Sequence, residues 1–256
     1  MPRLGRPEII LALDVDTLKK AQGFVDKLYP QIKSFKIGSQ LFTASGPDAI
    51  KMVEKKGGRV FLDLKFHDIP KTVHSSIISG SSVSISIVAS DSTNVAKDVK
   101  QAVSRPVFMM TVHTQGGQAM LEAAARGAAE TAKELNITKP FIVGVTRLTS
   151  DDNNTDTLAE VLKAAQLAKD SGLDGVVCSA LEAAKVREAF GADFIIVTPG
   201  IRLSKDAAND QKRTASVNQA IKAGSNFLVI GRPILNADDP IAKTEELLGE
   251  INGAGN

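Results

Sequence analysis

The segment FLDLKFHDIPKTV, residues 61–73, sets Asp63, Lys65, His67 and Asp68 into an otherwise apolar stretch. An extended strand alternates its faces with a period of two, so Asp63 and Lys65 share one face while Leu62, Leu64 and Phe66 share the other. Carboxylates and ammonium groups fixed side by side make a preset electrostatic field. Two unit charges about 4 Å apart interact by roughly 4 kcal/mol at an effective dielectric near 20, so a few of them can favour a transition state over a bound substrate. A second pattern is TPGIR, residues 198–202, followed by IGRP, residues 230–233. In each, glycine beside arginine lets backbone N–H groups approach an anion while a cation completes the site. Arg202 and Arg232 therefore point to a phosphorylated ligand.

Other reactive side chains receive no such role. His67 and His113 are acid–base candidates because the histidine side chain in general titrates near neutrality, but His67 either alternates away from Lys65 or leaves it where the strand ends. His113 is expected to pack or to orient a loop, and His74 to lie on a helix surface. Cys178 stands in the apolar run GVVCS, which reads as a buried strand, and a single cysteine makes no internal disulfide.

The elements that must position these groups alternate between short β-branched runs and longer stretches of helical period. Eight strands are expected, at 8–15, 34–39, 59–66, 107–113, 140–148, 175–179, 193–199 and 226–234. Helix-like segments lie at 17–28, 41–56, 117–135, 157–171, 180–190 and 213–223. Repeated βα units of this number predict a single (β/α)8 TIM barrel spanning 1–256, with its active site at the C-terminal strand ends and phosphate held after strands seven and eight. Asp14, Lys36, Asp63, Lys65, His113, Thr149, Thr198 and Arg232 all fall near those ends. Regularity fails around residues 75–100, which read as a Ser-rich insertion. The alternation in VSISIVAS, near 83–88, could supply the fourth strand, but 107–113 is preferred because HTQGGQAMLEAAARGAAE provides the next helix directly. The polar stretch 202–213 is long for a barrel connection and could close over a ligand.

With 256 residues, 43% hydrophobic, the chain can bury a large core. A formal charge of +2, one Tyr and no Trp argue against nucleic acid. No run of 18 apolar residues suggests a membrane span, and the N-terminus does not resemble a signal peptide, so a cytoplasmic protein is expected.

These residues resemble the orotidine 5′-phosphate decarboxylase family. Its signature D-x-K-x-x-D-I-P-x-T reads here as Asp63, Lys65, Asp68, Ile69, Pro70 and Thr72, and the likeness extends from LALDVD to GRPI. The resemblance implies cofactor-independent decarboxylation of orotidine 5′-phosphate (OMP) to UMP, in pyrimidine biosynthesis, with no metal. It implies a catalytic array of Lys36, Asp63, Lys65 and Asp68, with Lys65 as proton donor. Asp14 would bind the ribose, Thr149 the pyrimidine, and Gln211 would bridge base and phosphate. Arg202, Gly231 and Arg232 would bind phosphate. Asp68, Ile69 and Thr72 would reach the neighbouring subunit's site, so a homodimer with shared sites follows. The alternatives are a metal-dependent sugar-phosphate decarboxylase or aldolase of the same superfamily, a Schiff-base aldolase, and a noncatalytic phosphate-binding barrel. Metal-dependent relatives carry a glutamate where this chain has Lys36, and a cation there repels a metal. Carboxylates flanking Lys65 oppose the neutral amine that a Schiff base requires.

Overall fold

The computed structural model describes residues 6–83, 107–147, 157–202 and 214–253. Eight parallel strands close into a barrel: β1 (Glu8–Ala12), β2 (Ser34–Gly38), β3 (Arg59–Phe66), β4 (Met109–His113), β5 (Phe141–Val145), β6 (Gly175–Val177), β7 (Ile195–Thr198) and β10 (Phe227–Ile230). They follow one another around the barrel in chain order, and β10 closes against β1. The expected (β/α)8 architecture is therefore what the chain adopts.

Period-two alternation divides the strand residues between two cores. Ile10, Ala12, Phe61, Met109, Val143, Ile195, Val197, Phe227 and Val229 point inward and fill the barrel. Ile9, Leu11, Phe35, Ile37, Val60, Leu62, Met110 and Val112 point outward against the helices. Filling the lower interior with apolar side chains leaves the next inward positions of each strand, at its C-terminal end, for polar groups.

The connecting helices start and stop where local chemistry dictates. α1 (Leu18–Leu28) is capped by Thr17, whose side chain accepts from Lys20 N–H. The segment expected as one helix over 41–56 is two, α2 (Ser39–Ser45) and α3 (Pro47–Lys55), because Gly46 at φ 53° and the following Pro47 break the hydrogen-bond ladder. α5 (Gly117–Glu134), α6 (Thr157–Asp170), α7 (Ala180–Phe190) and α8 (Val217–Lys222) match or fall within the expected segments, while α10 (Pro240–Gly253) lies where no helix was expected.

The Ser-rich region requires correction. Its first part is α4 (Pro70–Ser82), the ordinary crossover helix after β3, which buries Val73, Ile77, Gly80 and Ser81. Ser81 and Ser82 donate their hydroxyls to the carbonyls of Ile77 and Ile78, so a serine-rich face is compatible with the helix. Residues 84–106 lie outside the described residues, and with them most of the 83–88 candidate strand. Met109–His113 occupies the fourth barrel position, paired with β3 and β5. Expected strand 226–234 is also shorter: it ends at Ile230, and Arg232–Leu235 forms the short helical turn α9. A separate two-stranded ladder, β8 (Ile201–Arg202) with β9 (Ala215–Ser216), follows β7.

Candidate active site

At the C-terminal mouth of the barrel, four charged side chains alternate in sign. Lys36 Nζ lies 2.9 Å from Asp14 Oδ1 and 3.5 Å from Asp63 Oδ2, and Lys65 Nζ lies 2.9 Å from that same Asp63 oxygen. Asp14 follows β1, Lys36 is on β2, and Asp63 and Lys65 are on β3, so neighbouring strands deliver the chain Asp14–Lys36–Asp63–Lys65 in order around the barrel. Exposure differs sharply along it: the side chains of Lys36 and Asp63 are 10% and 11% exposed, those of Lys65 and Asp14 37% and 49%. The inner pair is fixed by burial, while the outer two meet the open mouth.

Asp63 stays ionised despite that burial. Desolvation alone pushes its carboxyl up, but Lys36 and Lys65, together with hydrogen bonds from Lys65 and Thr111, outweigh it and hold the group below the usual aspartate value. Its second oxygen, Oδ1, accepts from the Thr111 hydroxyl at 3.0 Å.

The backbone at Lys65 is unusual for a strand. Leu62 pairs with Met110 and Phe66 with Val112, so three residues of β3 stand opposite Thr111 alone. Lys65 adopts φ 51°, a left-handed conformation that costs an L-residue roughly 1–2 kcal/mol. Its N–H donates to Thr111 Oγ1 at 2.8 Å, which holds the kink. The expected sharing of a face survives this irregularity: Asp63 and Lys65 line the inner cavity, while Leu62, Leu64 and Phe66 line an apolar cavity on the outer side.

The inner cavity has a volume of about 220 Å³ and continues from the charged chain to the loops after β7 and β10. Pro199, Gly200, Ile201, Gly231 and Arg232 line it there. Gly200 turns the chain at φ 75°, and Gly231 caps α9, whose first residue is Arg232. Arg202 is 7% exposed on β8, and the wall beside it is formed by Gly200 and Ile201. One cavity thus gathers the charged chain and a wall of glycine backbone with an arginine, and the two meet where a Cβ at position 231 would lie 3.8 Å from Asp14 Oδ2, an arrangement suited to a phosphorylated anion with a second reacting charge.

Some expected site residues stand apart. Asp68 is exposed and accepts from the Ile69 N–H at 2.6 Å, Ile69 is 65% exposed, and Thr72 lines the outer cavity. Thr149 and Gln211 lie outside the described residues. Two residues escaped the sequence reading: Thr111, buried behind the charged chain, and Arg147 in the cavity wall. Thr111 reads as an ordinary strand former, although its period-two spacing from inward Met109 marks it as inward. Arg147 lines the cavity and pairs with Glu160 at 2.6 Å; its signal was an arginine at the C-terminal end of a strand. His67 and His113 stack at 5.5 Å between ring centroids, and His113 Nδ1 accepts from Gln115 N–H, in keeping with a packing role.

Residues 7–247 match the family model described as "Orotidine 5'-phosphate decarboxylase / HUMPS family". The chain belongs to this family. Among the family's curated members, the orotidine 5′-phosphate decarboxylase of Moorella thermoacetica is 41% identical, covering 96% of this chain and 93% of its own. That of Neisseria meningitidis serogroup A is 40% identical, over 98% of this chain and 93% of its own. The crystal structure of the orotidine 5′-phosphate decarboxylase from Lactobacillus acidophilus superposes with a TM-score of 0.77 at 33% identity, over 97% of this chain and all of that one. The Pyrococcus horikoshii enzyme shares the fold at 22% identity and a TM-score of 0.67, covering 96% of this chain and 99% of its own.

Proposed function

We propose that this protein decarboxylates OMP to UMP in pyrimidine biosynthesis, with Lys65 as proton donor, and that one barrel domain spanning the chain does so in the cytoplasm without metal or cofactor. The observation that carries the reading is the sign-alternating chain Asp14–Lys36–Asp63–Lys65 lining one cavity together with Gly200, Gly231 and Arg232. Breaking the C6–carboxylate bond releases CO2 and leaves the electron pair on C6, in the plane of the pyrimidine, where the ring π system does not delocalise it directly. An ammonium beside C6 stabilises that pair and transfers its proton to it; solvent then returns a proton to Lys65. Asp63, ionised and bound on both oxygens, holds Lys65 in place and opposes the substrate carboxylate.

The remaining roles follow the family pattern. Asp14 binds the ribose, Thr149 the pyrimidine, Gln211 joins base to phosphate, and Arg202, Gly231 and Arg232 hold the phosphate. Asp68, Ile69 and Thr72 act in the partner's site of a homodimer, a role supported by their exposed positions on the described chain. Lys36 on β2 argues against the metal-dependent sugar-phosphate reading, because it places an ammonium where those relatives carry a metal-ligating carboxylate.

The decisive assay follows the ultraviolet absorbance of OMP mixed with EDTA-treated protein. Conversion to UMP by wild type but not by Lys65→Ala, with UMP binding retained in the variant, is expected. Substantial turnover by Lys65→Ala would remove the proton-donor role, and no turnover by the folded wild type would remove the activity. For the shared site, mixing inactive Lys65→Ala with inactive Asp68→Asn should restore part of the activity, because mixed dimers regain one intact site.

A further inference from the structure

Thr111 is fully buried on β4, at the inward position between Met109 and His113. Its hydroxyl has two partners: it accepts from the Lys65 N–H at 2.8 Å and lies 3.0 Å from Asp63 Oδ1. A hydroxyl has a single proton. Since the amide already supplies the hydrogen of one contact, the threonine proton goes to Asp63 Oδ1, adding to the two lysines that keep this carboxyl ionised. Asp63 Oδ2 meanwhile accepts from Lys65 Nζ at 2.9 Å. Lys65 is thus held at both ends in one closed ring of hydrogen bonds, by its backbone through Thr111 and by its ammonium through Asp63.

We infer that Thr111 is a positioning residue of the reaction: its hydroxyl holds Lys65 in its left-handed backbone conformation and fixes Asp63 as the ionised anchor of the Lys65 ammonium. The role rests on the proposed use of Lys65 and Asp63 in decarboxylation. Without the hydroxyl, the Lys65 N–H loses its acceptor, so the kinked backbone is free to relax toward an ordinary strand and to carry the ammonium with it. Asp63 Oδ1 loses a donor in a buried place, which favours its protonated form. Both changes act on the reacting step, while the two hydrogen bonds of the Thr111 hydroxyl go to Lys65 and Asp63 and not to Gly231 or Arg232.

The test compares wild type with Thr111→Val, which keeps the shape and removes the hydroxyl, and with Thr111→Ser, which restores it. Hydrogen exchange of the Lys65 amide reads the positioning directly and does not depend on turnover. Thr111→Val should lose protection there by about two- to tenfold, as the loss of one net hydrogen bond implies, with neighbouring β3 amides unchanged and Thr111→Ser close to wild type. In the OMP assay, kcat should fall by about 10²-fold, a misplacement effect, with KM within about threefold by the same argument, and the acid limb of the kcat profile should move to higher pH. Thr111→Ser should recover most of kcat. Equal Lys65 protection in wild type and Thr111→Val would overturn the positioning role whether or not OMP is the substrate. Lost protection with unchanged kcat and an unmoved acid limb would overturn its link to the reaction. An inactive wild type would instead remove the proposed function, leaving the exchange result to judge Thr111. If Thr111→Val does not fold, Thr111→Cys, with its weak donor, is read on the same scales.

Discussion

Gly38 stands directly beside the ammonium of Lys36: a Cβ at position 38 would lie 2.8 Å from Lys36 Nζ and 3.3 Å from Asp14 Oδ1. The backbone there, at φ −95° and ψ −178°, is open to any residue, so the requirement for glycine comes from the charged pair. Gly38→Ala should therefore fold, since a lysine tip can swing aside, while kcat/KM for OMP falls by about 10²-fold as the array is displaced. Unchanged kinetics in a folded variant would show that the reaction tolerates a shifted Lys36.

Asp63→Asn tests the anchor. Replacing the carboxylate leaves the Lys36 and Lys65 ammoniums facing each other across a neutral amide, and the loss of a pair worth roughly 4 kcal/mol corresponds to about 10³-fold in kcat. Because folding depresses the Asp63 carboxyl, its stabilising contribution is complete above about pH 4 and is lost as the pH falls through the folded-state value. Acid-unfolding curves should therefore differ between wild type and Asp63→Asn in size above pH 4 and converge below it.

The histidine stack predicts a pH dependence of the opposite chemical type in a higher range. Burial, followed by the neighbouring His67 and Lys65, pushes His113 below its ordinary value. The unfolded chain therefore takes up this proton first, and stability should decline as the pH drops through about 6.5. Melting temperatures measured from pH 7.5 to 5 should fall more steeply for wild type than for His113→Gln. Parallel slopes would show that the stack accommodates the proton at no cost.

Arg187 joins segments at the opposite end of the barrel. It donates to the carbonyls of Gly191, Phe194 and Gly224 and to Asn226 Oδ1. Arg187→Ala should cost about 3 kcal/mol and lower the melting temperature by roughly 6–12 °C. Activity per folded molecule should be preserved, because none of these contacts reaches the cavity. A loss of kcat at full stability would contradict this separation.

The parts of the fold that could be read from sequence were those that depend on periodicity. Alternation separated Asp63 and Lys65 from Leu62, Leu64 and Phe66, and the positions of Asp14, Lys36 and Arg232 at strand ends located the catalytic face. Local irregularity was not legible. Nothing in the residue type of Lys65 announces φ 51°, because that conformation depends on the Thr111 hydroxyl, 46 positions away. Serine's weak helix preference concealed α4, whose stability comes from Val73 and Ile77 packed below. Asp68 was grouped with the array by motif, yet it follows the strand end and turns its carboxylate to the Ile69 N–H.

The ladder of Ile201 with Ala215 and Arg202 with Ser216 acts as a clasp. The backbone at Arg202 is thereby tied to that at Ser216, so the course of the chain beyond β7 is set from two sides. For an engineer, the ladder is a part to keep whenever the connection it brackets is redesigned, and Gln211, to which the proposed reaction gives a ligand contact, has to be kept with it.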